Sequence, residues 1–299
     1  MKNRMRQQGV TLVELMIAML VSLVLAAGVG TVYLSSKRNY QARDQLSMMN
    51  ENARVALETL QQHLEHAGYA TAAKLPLPGG NYFYVNGDST TAPVAFICGG
   101  LGEANVRDVN DFNSRGTQDA FNTFGDAISI RFLGDDNLFA DAAGGVLPGG
   151  ASDNCRVEKS TNIQASFIYN AFHVDTDGNT KNSLNEWVPI LYAVGSNVNN
   201  RQPIVNGIEN LQFMYGIDGN LDGTADYFLN ATDTTSGALW RRVISIKVAI
   251  LVRSLEPVLE TATASSYKLL DKTVNITTPD RYQRRVYTTV IQLRNVVDG

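Results

Sequence analysis

Residues 8–34 read QGVTLVELMIAMLVSLVLAAGVGTVYL, and the fold turns on how this run is interpreted. A short leader, MKNRMRQQG, precedes it and carries Lys2, Arg4 and Arg6 but no acid. From Val10 to Leu34 the only charged side chain is Glu14, in a segment otherwise made of apolar and small residues. A helix needs about 20 such residues to cross a bilayer, and this run supplies them. An acid deep in a membrane helix costs roughly 2.5–3.5 kcal/mol unless it has a partner. Nothing nearby in the chain offers Glu14 a partner, so the sequence places that partner on another molecule. The competing interpretation is a removable secretory signal, with Ala26-Ala27-Gly28 as a small-x-small cleavage site. Glu14 inside the apolar core, and a helical pattern that continues past it, argue against that.

The pattern continues well beyond Lys37 and Arg38. Leu46, Met49, Ala53, Ala56, Leu60, Leu64 and Ala67 recur at steps of three and four, the period of an amphipathic helix. Arg43, Asp44, Glu51, Arg54, Glu58, Gln61 and Glu65 fill the intervening, solvated face. Gly68 is the natural stop, since glycine tolerates the left-handed conformation that ends helices. The sequence therefore predicts one helix from Val10 to Gly68, about 85–90 Å long at 1.5 Å per residue. Residues 10–34 would span the membrane, and 35–68 would pack on a globular domain. Gly28 and Gly30 are the expected weak points, where the helix could bend.

Past Gly68 the texture changes to short alternating runs between loops rich in Gly, Asn, Asp and Ser, predicting a β-rich domain over 69–299. Candidate strands are Ile128–Phe132, Phe167–Phe172, Trp187–Ala193, Ile208–Tyr215, Arg242–Arg253 and Arg285–Val296. In the clearest of these, Ile244, Ile246, Val248, Ile250 and Val252 share one uniformly apolar face. The stretches 99–126, 134–165, 216–239 and 254–283 read as long loops, where binding functions often reside. The expected class is α+β, a long N-terminal helix followed by a β-rich globular domain.

Gly9-Val10-Thr11-Leu12-Val13-Glu14-Leu15 resembles the class III signal of type IV prepilins. The resemblance implies that a membrane peptidase cuts after Gly9 and that the new N-terminus, Val10, is methylated. The usual first residue is Phe, and Val10 departs from it. Glu14 would be the carboxylate that meets the free amine of a neighbouring subunit during assembly. Further on, LQQHLEHAGYA, ENLQFMYGIDGNLDGTADYF, WRRVISIKVAILVRS and RRVYTTVIQLRN resemble PilW-type minor pilins of type IV pilus systems. With the signal these runs cover most of the chain, leaving 74–124 and 134–165 without a match. The implied protein sits in the inner membrane with its globular domain in the periplasm, then enters the pilus near its tip. Its implied partners are major and minor pilins, the prepilin peptidase, the inner-membrane assembly machinery and, before assembly, the lipid bilayer.

Composition agrees with that placement. The formal charge is −4, and loss of Lys2, Arg4 and Arg6 with the leader makes the mature chain more acidic still. Phosphate binding rests on net cationic contact, so a general nucleic-acid binder is excluded. The chain has two cysteines, Cys98 and Cys155. In an exported protein they read as one disulfide, worth roughly 4 kcal/mol by the chain-entropy argument; two free buried thiols are the alternative.

Asp218-Gly219-Asn220-Leu221-Asp222-Gly223-Thr224-Ala225-Asp226 matches the first nine positions of a calcium loop. Asp218, Asn220, Asp222 and Asp226 fall at oxygen-bearing positions, Thr224 at the backbone-carbonyl position and Gly223 at the sharp turn. Position 12, normally a bidentate Glu, is Leu229. The alternative is a polar hairpin loop between strands. A second run, Asp175-Thr176-Asp177-Gly178-Asn179, has Glu186 at position 12 but Thr180 in place of the glycine, and reads as a turn. His63 and His66 lie one helical turn apart without a further ligand nearby, and read as packed or solvated. Arg281, Tyr282, Arg284, Arg285 and Tyr287 form a basic-aromatic cluster, read as a solvated strand face. No G-x-S-x-G, H-E-x-x-H, G-x-x-x-x-G-K-[ST] or G-x-G-x-x-G occurs, so nothing supports an enzyme. The expected function is a structural, priming or tip subunit of a type IV pilus, serving adhesion, twitching or DNA uptake at the level of the whole pilus. The rivals are a minor pseudopilin of a type II secretion system and a tip adhesin or DNA-binding module.

Overall fold

The computed structural model describes residues 11–69, 117–134, 140–144, 157–158, 164–195, 201–232, 237–240 and 242–295. One helix, α1, runs from Leu12 to Leu64, and Tyr69 follows a final turn in which Gly68 takes φ +75°. Its 53 residues give a rod about 80 Å long. Gly28 and Gly30 lie inside the helix without interrupting it.

The strands are β1 (Gln118–Asn122), β2 (Gly125–Gly134), β3 (Val157–Glu158), β4 (Gln164–Asp175), β5 (Ile190–Gly195), β6 (Gln202–Asn206), β7 (Ile208–Ile217) and β8 (Tyr227–Leu229). A single-turn helix, α2 (Gly237–Trp240), precedes β9 (Val243–Arg253), β10 (Thr263–Leu269), β11 (Lys272–Asp280) and β12 (Arg284–Gln292). The main sheet has the order β12-β9-β7-β2-β4-β5-β6, and β10 and β11 form a separate hairpin. Neighbours along the main sheet are antiparallel except β2 and β7, which meet in parallel at Gly125 and Leu211. That junction requires glycine. Gly125 has φ +107°, and a Cβ there would lie 2.2 Å from the Leu211 carbonyl oxygen. Asp126 braces the same crossing by accepting the N–H groups of Ala120 (2.8 Å) and Phe213 (2.9 Å).

The second half of α1 sinks into this sheet. Met49, Ala53, Ala56, Leu60, Leu64 and Ala67 are fully buried, as the spacing predicts. They pack with Ile130, Phe132, Phe172, Phe213, Tyr215 and the inward face of β9. Each large side chain so buried contributes about 1.5–3 kcal/mol. Leu46 is only half-buried, and Gln45 is buried beside it. The reason is polar. Gln45 Oε1 accepts the N–H groups of Leu255 (3.0 Å) and Glu256 (3.2 Å), which the end of β9 would otherwise leave unpaired. Two neighbouring asparagines reach opposite edges of the sheet. Asn52 donates to the Asn206 carbonyl on β6 (3.0 Å), and Asn50 accepts from the Tyr287 hydroxyl on β12 (2.5 Å). The sheet therefore curls around the helix.

Strand expectations need correction in several places: the stretches 99–126 and 216–239, read as loops, contain β1 and β8, and β6 was not among the expected strands. The strand expected from Trp187 begins at Ile190, because Pro189 has no N–H to give a ladder; Trp187 makes only an isolated bridge to Lys181. The stretch 254–283, read as a loop, contains the β10–β11 hairpin. Its outward positions are Ser, Thr, Asn and Lys, which disguised the alternation of Tyr267, Leu269, Val274 and Ile276. The hairpin covers the second face of β9, where Ala249 and Leu251 pack with Leu269. That is why β9 is buried on both faces.

Candidate functional site

No residue of α1 before Gln45 is buried. This half of the helix is long and apolar enough to cross a membrane. Its start is shaped by a capping box. Thr11 Oγ1 accepts the Glu14 N–H (3.3 Å), while Glu14 Oε2 accepts from the Thr11 N–H (2.9 Å) and hydroxyl (2.9 Å). The expectation that Glu14 lacks a partner in its own chain is thereby corrected: Thr11 is that partner. Thr-x-x-Glu was present in the sequence as the signature. Gly9 and Val10, at the expected cut, lie outside the described residues, as do Cys98 and Cys155.

The loop from Asp218 to Asp226 joins β7 to β8 at the end of the sheet next to α2. Asp218 is buried and organises it. One oxygen accepts the N–H groups of Leu221 (2.5 Å) and Asp222 (3.2 Å), the other that of Gly223 (2.8 Å). Leu221 and Gly223 take φ +64° and +84° to make this possible. Asp222 accepts from the Thr224 hydroxyl (2.5 Å) and N–H (2.8 Å) and from Asn220 (3.0 Å), and these bonds lower its pKa. Asp226 accepts the Gly219 N–H (2.7 Å), and Arg242 donates to the Gly219 carbonyl (2.7 Å). The five candidate ligands thus share one loop: Asp218, Asn220, Asp222 and Asp226 already accept from protein donors, and Thr224 donates to Asp222. Among the described residues, no three His, Cys, Asp or Glu side chains converge to hold a metal ion.

The second acidic run is a turn. Asp177 accepts from the Thr180 hydroxyl and the N–H groups of Thr180 and Asn179, and these bonds depress its pKa to about 2. Asp175 pairs with Arg201, and Glu186 accepts from the Tyr282 hydroxyl. His63 and His66 pack against different rings, Phe172 (5.6 Å between centroids) and Phe132 (5.7 Å). Burial lowers both pKa values, that of His63 to about 4.

The basic-aromatic cluster is only in part a solvated face: Arg281 and Arg285 are exposed, but Tyr282 and the Arg284 side chain are buried, which corrects the expectation for those two. Arg284 has 3% of its side chain exposed and grips two carboxylates, Glu209 (2.5 and 2.9 Å) and Asp280 (2.7 and 2.6 Å). The Arg253 guanidinium lies 4.2 Å from the centre of the Tyr282 ring and 3.7 Å from Glu209. Burial, then the hydrogen bond to Glu186, raises the Tyr282 hydroxyl to about 12. Burial disfavours the charged form of Asp280, but the hydrogen bonds from Arg284 and the Tyr282 N–H outweigh it and hold its pKa low. This network ties β7, β9 and β12 to the loop at 176–189. Sequence reading missed it because Glu209, Asp280 and Glu186 are far apart along the chain.

Comparison with known families places these features. A family model described as Type IV Pilus-assembly protein W matches residues 171–295, from β4 through β12. A model of the prokaryotic N-terminal methylation motif matches residues 4–30. No curated protein matches the chain. Among solved structures it is similar to a type IV-like pilin from Thermus thermophilus, at 12% identity and a TM-score of 0.38, over 86% of this chain and 100% of that one. The chain thus carries the two matches, one at each end, of a type IV pilin-like protein of the PilW type.

Proposed function

We propose that the chain is a minor subunit of a type IV pilus that primes assembly or sits near the tip, with its globular domain outside the inner membrane. The observation that carries this is the division of α1. Residues 12–34 are apolar apart from Glu14 and a few small polar side chains, and no residue of α1 before Gln45 is buried, while Gln45 onward packs into the sheet. A rod of this kind must be covered by lipid before assembly and by other helices after it. Cleavage between Gly9 and Val10 would place a free amine one residue before Thr11, within reach of the Glu14 carboxylate of an adjacent subunit. The burial of Arg284 and Tyr282 takes both out of any nucleic-acid surface, and leaves Arg281 and Arg285 exposed. The test is mass spectrometry of the mature N-terminus together with co-purification of other pilins. A mature chain starting at Val10 and recovered with minor pilins is expected. A chain starting near Val29 would mean a conventional signal peptide and sink the reading.

A further inference from the structure

The two ends of the main sheet are built in opposite ways. At one end β6 has five residues, carries Pro203 and pairs with β5 through a register shift between Leu191 and Tyr192. Shortness, proline and irregular register are how proteins keep a sheet edge from pairing with another chain. At the other end β12 pairs with β9 over nine residues without a shift, from Arg284↔Arg253 to Gln292↔Ser245. Its segment Val286–Gln292, VYTTVIQ, contains no charge, proline or glycine.

Two hydrogen bonds show which backbone groups of β12 face outward. The Ser254 N–H donates to the Gln283 carbonyl (2.8 Å), and the Leu293 N–H donates to the Ile244 carbonyl (2.9 Å). Both continue the β9–β12 register. In an antiparallel ladder, residues bonded to the partner strand alternate with residues whose N–H and C=O point away. The odd-numbered residues from Gln283 to Leu293 therefore bond to β9. Val286, Thr288, Val290 and Gln292 turn their backbone groups outward. Among the described residues no strand pairs with that side. Val286 sits beside the β10–β11 hairpin, but Thr288, Val290 and Gln292 are exposed, Val290 by 54%. The strand is held rigidly from behind by buried Ile291 and Leu293, and Asn295 donates to the Glu65 carbonyl (2.8 Å).

We propose that the outer edge of β12, from Thr288 to Gln292, receives an extended segment of a neighbouring filament subunit, which joins the sheet as an added strand. This rests on the pilus reading above. The edge offers alternating N–H and C=O groups and no charge, so it recognises extended, uncharged backbone. β12 runs along α1, from Tyr287 beside Asn50 to Asn295 beside Glu65. Antiparallel pairing with β12 of a second copy would point the two α1 helices in opposite directions, which two chains anchored in one membrane cannot satisfy. The added strand therefore belongs to a subunit whose helix runs parallel, and is not a second β12 paired antiparallel.

The test is residue-resolved amide exchange on the full-length chain in detergent, alone and in complex with co-expressed subunits of the same pilus. In the chain alone, Thr288, Val290 and Gln292 are expected to exchange at least about 100-fold faster than Thr289 and Ile291, and to slow by about 100-fold in the complex. Slow exchange in the chain alone, or fast exchange in the complex, overturns the proposal. Thr288→Pro removes one outward N–H and no ladder bond, so the melting temperature should hold while recovery of the complex falls about tenfold. Val290→Lys should act likewise, since charge protects edges. Thr289→Pro, opposite Val248, is the folding control and should unfold the domain. Thr288→Pro and Val290→Lys chains that fold and assemble normally also overturn it. If no subunit co-purifies with the unaltered chain, the pilus reading falls and strand addition with it; a complex whose edge amides stay fast sinks strand addition alone.

Discussion

Glu14 and Thr11 cap the start of α1 reciprocally, each accepting from the backbone N–H of the other. Both bonds to the carboxylate use Oε2, so Oε1 can meet an amine on another subunit while the cap persists.

Substitutions at this pair separate the two roles. Glu14→Gln keeps a capping box, since glutamine serves at that position, but removes the charge. Glu14→Ala removes both. If charge pairing governs assembly, both variants insert into the membrane normally and both are lost from sheared pili. Thr11→Val removes the hydroxyl and costs the cap about 1 kcal/mol, but it leaves the backbone N–H bond and the charge of Glu14, so it should be incorporated about as well as the parent. Immunoblots of membrane and pilus fractions read all three. Normal incorporation of Glu14→Gln would reject the assembly role of the charge.

Among the described residues, Arg284 is the only cation in direct contact with both Glu209 and Asp280, and its side chain is almost fully buried. Arg284→Met should therefore destabilise the domain by about 3–5 kcal/mol, the usual cost of stranding buried carboxylates. Adding Glu209→Gln and Asp280→Asn to that variant should restore part of the loss, because the stranded charges are then gone. Denaturant unfolding of the three proteins checks it. A loss under about 1 kcal/mol for Arg284→Met would show that the network is solvated in solution.

His63 supplies a pH dependence. Its folded pKa is about 4, held down by burial and then by the neighbouring His66, against an ordinary 6.5. The unfolded chain binds the proton more readily, so stability is full above about pH 6.5 and falls as pH drops towards 4, where the loss levels off. The total is at most a few kcal/mol. His63→Leu, against Phe172, should flatten the unfolding midpoint across that window. An equally steep profile in the variant would assign the dependence to carboxylates instead.

How much of this could be read from the sequence depends on how local the cause is. The helix was legible because its apolar spacing and Gly68 are local signals, and so were the inner faces of β7 and β9. Gln45 in the seam was not, since its role is to satisfy Leu255 and Glu256, far away in sequence. The β10–β11 hairpin escaped because strands lying over another strand's second face can be polar outside. For the site, Thr11 and Glu14 carried a recognisable capping signature, whereas the Arg284 network depends on pairings that exist only after folding.

The remaining prediction concerns the loop at Asp218–Asp226. We propose that it takes calcium weakly and is folded before the ion arrives. Asp218 already fixes the turn through three backbone N–H groups, so no cation is needed to form it. Calcium would have to draw Asp222 away from Thr224 and Asp226 away from Gly219, and each exchange costs affinity. Leu229 stands where a bidentate acid would otherwise strengthen the site. Affinity is therefore expected at about 10⁻⁴–10⁻³ M, the range of extracellular modules. Chelator should leave the melting temperature of the purified full-length chain unchanged. Calcium at tenfold excess over its dissociation constant should stabilise it by about 1.4 kcal/mol through mass action. Asp222→Ala should abolish that rise without lowering the starting midpoint by more than a degree or so, because Asp222 is exposed. Calorimetric titration and thermal unfolding with calcium, magnesium or chelator decide it. If several millimolar calcium moves neither heat nor midpoint, the loop is a polar hairpin and the site does not exist.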